Sequence, residues 1–297
     1  MKKKTFSSQW LMPPRINEIY RNAQKLLRCK YSMFLQRDTL PDFSTIRQLK
    51  DIHKGERCFV LATGPSLGKM DLKKLKGEKI IAIHDSWLHP DFDIIRPQYH
   101  TIAPYHIPFT FDDIEKRLKG IHDTYRWPMK LFLGFTFYPL SVNNFLCTHP
   151  EFQFSETYQI NYSYGQELQA HNYLRESIWD ITKKPFSPLT GNMQALQIGL
   201  HMGFSEIVFL GIDHTFARKL SPTGNPHFYS KHVGQDDGIQ YQHNFDREQI
   251  FARLSRLWTY YRYIREYSER KGIKVLNATP GSELDVLETI SLDEYLK

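Results

Sequence analysis

Short apolar runs, separated by polar turns and by stretches of helical period, mark this chain as an alternation of strands and helices. Cys58–Ala62 (CFVLA), Lys79–Ile83 (KIIAI), Lys130–Gly134 (KLFLG), Ile207–Leu210 (IVFL) and Ile273–Leu276 (IKVL) are short, predominantly apolar runs, the pattern of strands covered on both faces of a parallel sheet. Gln98–Ala103 is a weaker run of the same kind. Met193, Ala195, Leu196, Ile198, Leu200 and Met202 are dense enough for a buried helix that begins at Thr190-Gly191-Asn192 and stops at Gly203. Phe251, Leu254, Leu257, Trp258, Tyr261 and Ile264 trace the core stripe of a long amphipathic helix closed near Gly272. A short helix is expected over Asp71–Leu75 and a polar loop over 217–242. Residues 138–187, rich in Asn, Tyr, Phe, Ser and His without a clean period, read as an irregular insertion or lid. The expected fold is α/β and Rossmann-like, a mostly parallel sheet flanked by helices.

Charge divides the chain further. Residues 1–53 hold eleven Lys/Arg against four Asp/Glu; from totals of 39 and 32, the rest carries 28 of each sign. All of the net charge therefore lies in the first segment. There Ile16, Ile19, Tyr20, Ala23, Leu26 and Leu27 recur at helical spacing opposite Arg15, Arg21, Lys25 and Arg28, after Pro13-Pro14. The expectation is a basic helical segment over 1–53 and a main domain over 54–297, with peripheral contact to anionic lipid through residues 1–37. The neutral remainder offers no basic footprint, which argues against nucleic acid as a partner. Three cysteines, Cys29, Cys58 and Cys147, are too scattered for a disulfide framework or a zinc site. With no apolar run of about 18 residues, the expected location is the cytoplasm, at the inner face of the membrane.

Candidate chemistry gathers where predicted strands end. The first strand runs into Thr63-Gly64-Pro65-Ser66-Leu67-Gly68, which fails the P-loop and dinucleotide patterns and matches the hydrolase elbow G-x-S-x-G without the strands that normally precede it. A phosphate- or sugar-nucleotide-binding turn is the favoured reading. The second strand ends at His84-Asp85-Ser86, and Ile207–Leu210 ends at Gly211-Ile212-Asp213-His214. A helix starting at Thr190-Gly191-Asn192 offers free N–H groups at its positive end. Asp91-Phe92-Asp93 has metal-binding spacing but sits in a loop-like context, and none of the thirteen histidines shows zinc spacing, so no metal site is predicted. Downstream, His227-Phe228-Tyr229 and His232 supply imidazoles suited to general-base work near neutrality.

Together these residues, with the closing Asn277-Ala278-Thr279-Pro280-Gly281-Ser282, resemble the motility accessory factor and archaeal 6-hydroxymethylpterin diphosphokinase (MptE-like) family. More distantly, the chain is similar to bacterial CMP-sialic acid-dependent sialyltransferases with a single modified Rossmann domain. The resemblance runs from about Glu56 to the C-terminus. It implies that Gly64, Pro65 and Ser66 lie under the nucleotide phosphate or ribose and Thr190 and Gly191 near the cytidine or sugar. It makes His232 the base, or His227, because the loop spacing differs by one. Departures are Thr63 for the family's Asn, Gly191 for its Ser, and Asp85 where an Asn would contact the nucleotide. Tyrosines expected soon after Gly-Ile-Asp are absent, leaving Tyr229 as the nearby phenol.

The implied function is transfer of a sialic acid-like sugar from a CMP-linked donor to a surface glycan or glycolipid acceptor. Catalytic residues would be His232, His227 and Asp213. Donor-binding residues would be Thr63, Gly64, Pro65, Ser66, Asp85, Thr190, Gly191, Asn192, His214 and Tyr229, with no cofactor required. The alternative is a Mg²⁺-dependent diphosphokinase acting with ATP on a pterin-like alcohol, which needs Asp85, Asp213 or Asp91/Asp93 to converge on the metal.

Overall fold

Hydrogen-bond registers join eight strands into one parallel sheet in the order β5-β4-β3-β2-β1-β6-β7-β8. The strands are β1 (Arg57–Leu61), β2 (Ile80–Ile83), β3 (Tyr99–Ile102), β4 (Lys130–Phe135), β5 (Glu156–Asn161), β6 (Glu206–Leu210), β7 (Lys274–Asn277) and β8 (Glu288–Thr289). The helices are α1 (Phe92–Ile95), α2 (Phe111–Thr124), α3 (Val142–Thr148), α4 (Gly191–His201), α5 (Arg247–Arg270) and α6 (Leu292–Tyr295). The structure is a computed structural model and describes residues 40–105, 110–137, 141–152, 154, 156–163, 165–217, 228 and 246–297. The predicted helical spacing from Arg15 to Arg28, and with it the lipid contact through residues 1–37, lies outside them. Among the described residues no helix is long and apolar enough to cross a membrane.

The apolar strands bury both faces because each face feeds its own core. Phe59, Leu61, Val208 and Leu210 point to one side and pack with Leu67, Leu72 and Leu75 from the segment after β1. Their alternates Cys58, Val60, Ile207 and Phe209 face the other side, against Met193, Leu196 and Ile198 of α4 and Tyr260, Tyr261 and Ile264 of α5. Each fully buried Leu, Ile or Phe contributes about 1.5–3 kcal/mol, so a register slip on β1 would exchange two complete layers. A third cluster sets α2 and α3 against β3 and β4.

Two features position the site. Helix α4 lies over β1, β2 and β3. It is apolar nearly all round, and its two buried glutamines reach partners outside the helix: Gln197 accepts from the Tyr162 hydroxyl at 2.7 Å, and Gln194 donates to Thr101 Oγ1 at 2.7 Å. Gly199 lets the sheet approach closely, since a Cβ there would meet Ile207 Cδ1 at 3.0 Å, and Gly203, at φ +85°, ends the helix as expected. Helix α5 starts at Arg247, earlier than its apolar stripe, because Asp246 and Gln249 form a reciprocal capping box.

Two differences from the sequence reading bear on the extent of the main domain. Within the supposed irregular insertion, β5 pairs with β4 over six residues and α3 precedes it, so this stretch adds the sheet's edge. Glu156, Gln159 and Asn161 on that edge strand dilute the apolar pattern that marks interior strands. At the other boundary, Ile46 and Leu49 of the 3-10 turn Thr45–Leu49 are buried in the α4 and α5 core. The Asp51 and His53 N–H groups donate to the His201 and Met202 carbonyls at 3.0 and 2.8 Å. The compact unit therefore begins at Pro41 and not after residue 53.

Candidate functional site

The sheet order contains one topological switch. From β1 the chain builds outward through β2, β3, β4 and β5, then returns to place β6 on the other side of β1. In open α/β sheets the crevice beyond the carboxyl ends of two such strands is where ligands bind. Here it is lined by Thr63-Gly64-Pro65-Ser66 after β1 and Gly211-Ile212-Asp213-His214 after β6.

These two turns are joined directly. Asp213 accepts from the Ser66 N–H through Oδ1 at 3.0 Å and from the Ser66 hydroxyl through Oδ2 at 2.8 Å. The Gly64 N–H donates to the Gly211 carbonyl at 2.9 Å. Glycine is required at 64, because a Cβ there would lie 2.0 Å from Asp213 Oδ2 and 2.4 Å from Gly211 O. Burial raises the Asp213 carboxyl above its ordinary value, and the two bonds from Ser66 oppose that rise without cancelling it. The Ser66 donors are therefore directed at a carboxylate inside the protein.

The closing segment after β7 holds the β6 turn from behind. Thr279 Oγ1 accepts from the Ile212 N–H at 3.0 Å, Ser282 Oγ donates to the Ile212 carbonyl at 2.7 Å, and the Glu283 N–H donates to the Asp213 carbonyl at 2.9 Å. With its backbone so fixed, the Asp213 carboxylate has little freedom to leave Ser66.

The start of α4 forms the opposite wall. Thr190 is its N-cap residue and makes no side-chain cap, so its hydroxyl is not spent on the first helical turn. Gly191 lets the helix end approach β2: a Cβ would meet Ile83 Cγ2 at 2.6 Å and His84 Nε2 at 2.7 Å. His84 and His214 both have left-handed backbones, at φ +47° and +48°, an uncommon state for non-glycine residues that concentrates at functional turns. His214 is buried, its Nε2 is 3.1 Å from the Tyr261 hydroxyl, and desolvation lowers its pKa to about 4, so the ring is neutral.

Asp85 is held in an internal ion pair. Its side chain is fully buried, with Arg117 Nε and Nη2 each donating to one carboxylate oxygen at 2.8 Å. Arg117 also donates to the Tyr105 hydroxyl, and neighbouring His100 has its Nε2 2.8 Å from the His84 carbonyl. This network shapes the turn that carries His84. Asp91 accepts from the Leu72 N–H at 3.1 Å, a loop tie. Among the described residues no three His, Cys, Asp or Glu side chains group as a metal site would require, so Asp85, Asp91, Asp93 and Asp213 do not converge.

His227, His232 and Tyr229 lie outside the described residues. Phe228, between two of them in sequence, is described: its N–H donates to the Thr63 carbonyl at 3.1 Å. Its side chain packs against the Leu67 core, and a Cβ on Gly68 would meet it at 3.0 Å. Sequence reasoning missed Arg117 and assigned Tyr261 to a core stripe; nothing in the helical period distinguishes a phenol that bonds His214 from one that only packs.

No family model and no curated protein matches the chain. Among solved structures it is similar to the sialyltransferase CstII from Campylobacter jejuni in complex with cytidine-5'-monophosphate, at 11% identity and TM-score 0.42, over 80% of this chain and 86% of that one. A CST-II complex with a trisaccharide acceptor and CMP gives 12%, 0.43, 80% and 86%. The monofunctional α-2,3-sialyltransferase Cst-I from Campylobacter jejuni gives 12%, 0.42, 80% and 81%.

Proposed function

We propose that the protein is a glycosyltransferase that moves a sialic acid-like sugar from a CMP-linked donor to a hydroxyl of a glycan or glycolipid. The donor class comes from the motif resemblance. The observation that carries the reading is the junction of Ser66 with Asp213 at the switch point between β1 and β6, with the N-terminus of α4, uncapped by the Thr190 side chain, as the neighbouring element. That arrangement gives a nucleotide a rigid floor and gives the charge on a departing phosphate a helix end with Thr190 beside it.

In this reading the acceptor oxygen bonds to the anomeric carbon as the bond from that carbon to the phosphate oxygen breaks. CMP departs with the electron pair, and a histidine takes the acceptor proton. That base is His232 by the motif resemblance, with His227 as the other match; Phe228, next to His227 in sequence, donates its N–H to the Thr63 carbonyl. Residues 1–37 would hold the enzyme near an anionic membrane, and unchanged vesicle binding after their deletion would remove that part.

A thermal-shift series with CMP, CDP, UDP, GDP and ATP, each with and without Mg²⁺, tests the donor. Stabilisation by CMP that a chelator leaves intact is expected. Stabilisation by ATP alone, dependent on Mg²⁺, would instead favour the diphosphokinase and end the glycosyltransferase reading.

A further inference from the structure

Tyr261 is a fully buried residue of α5, and its hydroxyl meets groups from two other parts of the fold. His214 Nε2 stands 3.1 Å away, and Asn192 Nδ2 donates to the phenol at 3.4 Å. His214 directly follows Asp213, while Asn192 belongs to the start of α4. One hydroxyl from a third element therefore links the two walls of the crevice.

Packing alone does not call for that hydroxyl. The ring is in the core with Ile264 and Leu257, where phenylalanine would fill nearly the same space. The adjacent Tyr260 shows the contrast: equally buried, it turns the other way and accepts from the Leu168 N–H at 3.0 Å, remote from the β6 turn. A neutral imidazole has one nitrogen that donates and one that accepts, and the phenol, which can do either, can hold Nε2 in either tautomer and so fixes the orientation of the ring.

We infer that Tyr261 is a positioning residue of the candidate site, setting the ring of His214 and the start of α4 in register so that both face a bound nucleotide. Being fully buried, it touches no substrate. The inference rests on the nucleotide-binding reading above.

The test compares the full chain with Tyr261→Phe, Tyr260→Phe and Asn192→Ala, using CMP as the titrated ligand in calorimetry and the imidazole ¹⁵N signals of His214 in the ligand-free protein. Tyr261→Phe is expected to weaken CMP about ten-fold and Asn192→Ala about three-fold, the loss of one buried hydrogen bond or of a weaker one. Tyr260→Phe should leave affinity within about two-fold, since its bond lies elsewhere. The His214 signals should move in Tyr261→Phe and not in Tyr260→Phe. Wild-type binding that Tyr261→Phe and Asn192→Ala leave intact overturns the positioning role alone, as do unmoved His214 signals. A wild-type protein that binds none of CMP, UDP, GDP or ATP sinks the nucleotide reading and, with it, the role given to Tyr261.

Discussion

Arg117 grips Asp85 with two parallel bonds of 2.8 Å, from Nε and from Nη2, beneath the turn that carries His84. Both side chains are buried. Removing one partner leaves the other as a charge without its counter-ion in the interior, so Arg117→Ala should cost about 3–5 kcal/mol, measured by urea unfolding. Arg117→Lys should recover only part of that, because an ammonium cannot reproduce the paired geometry. A loss below about 1 kcal/mol for Arg117→Ala would mean that the pair contributes no more than an exposed one.

Gly64→Ala tests how tightly the crevice floor is built. The added methyl would occupy the space of Asp213 Oδ2 and Gly211 O, so either the β1 turn or the β6 turn must move. A destabilisation of about 1–3 kcal/mol is expected, together with loss of nucleotide-induced thermal stabilisation. An alanine variant with wild-type melting and wild-type ligand response would show that the two turns are free to separate.

Acid should destabilise the fold through two buried histidines. His100 and His214 have ordinary values of 6.5, lowered to about 4 chiefly by burial. Below pH 6.5 the unfolded chain takes up these protons while the folded one does not, so stability is complete above 6.5 and is lost as pH falls toward 4. Each ring is worth about 3 kcal/mol over that interval. Asp213, with its carboxyl raised above the ordinary value, acts in the opposite direction: its proton binds the folded state first as pH falls. Urea midpoints taken from pH 7 to pH 4.5 should therefore decline. His100→Gln or His214→Gln should flatten the decline, and an unaltered slope in both would refute this account.

Phe228→Ala should separate binding from turnover. The ring packs beside Gly68 and His89, and Phe228 is the sequence neighbour of His227, one of the two candidate bases. If His227 is the base, removal of the Phe228 ring should lower kcat by about ten-fold or more while KM for the donor changes about two-fold, the pattern of a group that acts in the transition state and not in donor binding. Equal effects on both constants would assign Phe228 to the donor floor itself.

Strands whose two faces are both covered were legible in the sequence, since Cys58–Ala62 and Ile207–Leu210 have no polar face to hide. The glycines that punctuate them were legible as well. β5 was not, because an edge strand tolerates Glu156, Gln159 and Asn161. The meeting of Thr63–Ser66 with Asp213 was visible only as two separate strand-end motifs; the bond between them depends on sheet order, which local pattern does not encode. Tyr261 and Arg117 were missed for a related reason. Each sits on a helical stripe whose period predicts burial, while the function of the buried polar atom depends on a partner far along the chain.

The switch between β1 and β6 also has a consequence for folding. Ser66 and Asp213 are separated by 147 positions, and β1 gains its second neighbour only when β6 is in place. During synthesis β1 through β5 can assemble first, leaving one side of β1 with unpaired N–H and C=O groups and an apolar surface awaiting α4 and β6. Closing such a long loop is slow relative to the local steps. The crevice between β1 and β6 is thus also the seam at which the two halves of the protein meet last, and an intermediate arrested there would be the species most prone to aggregate.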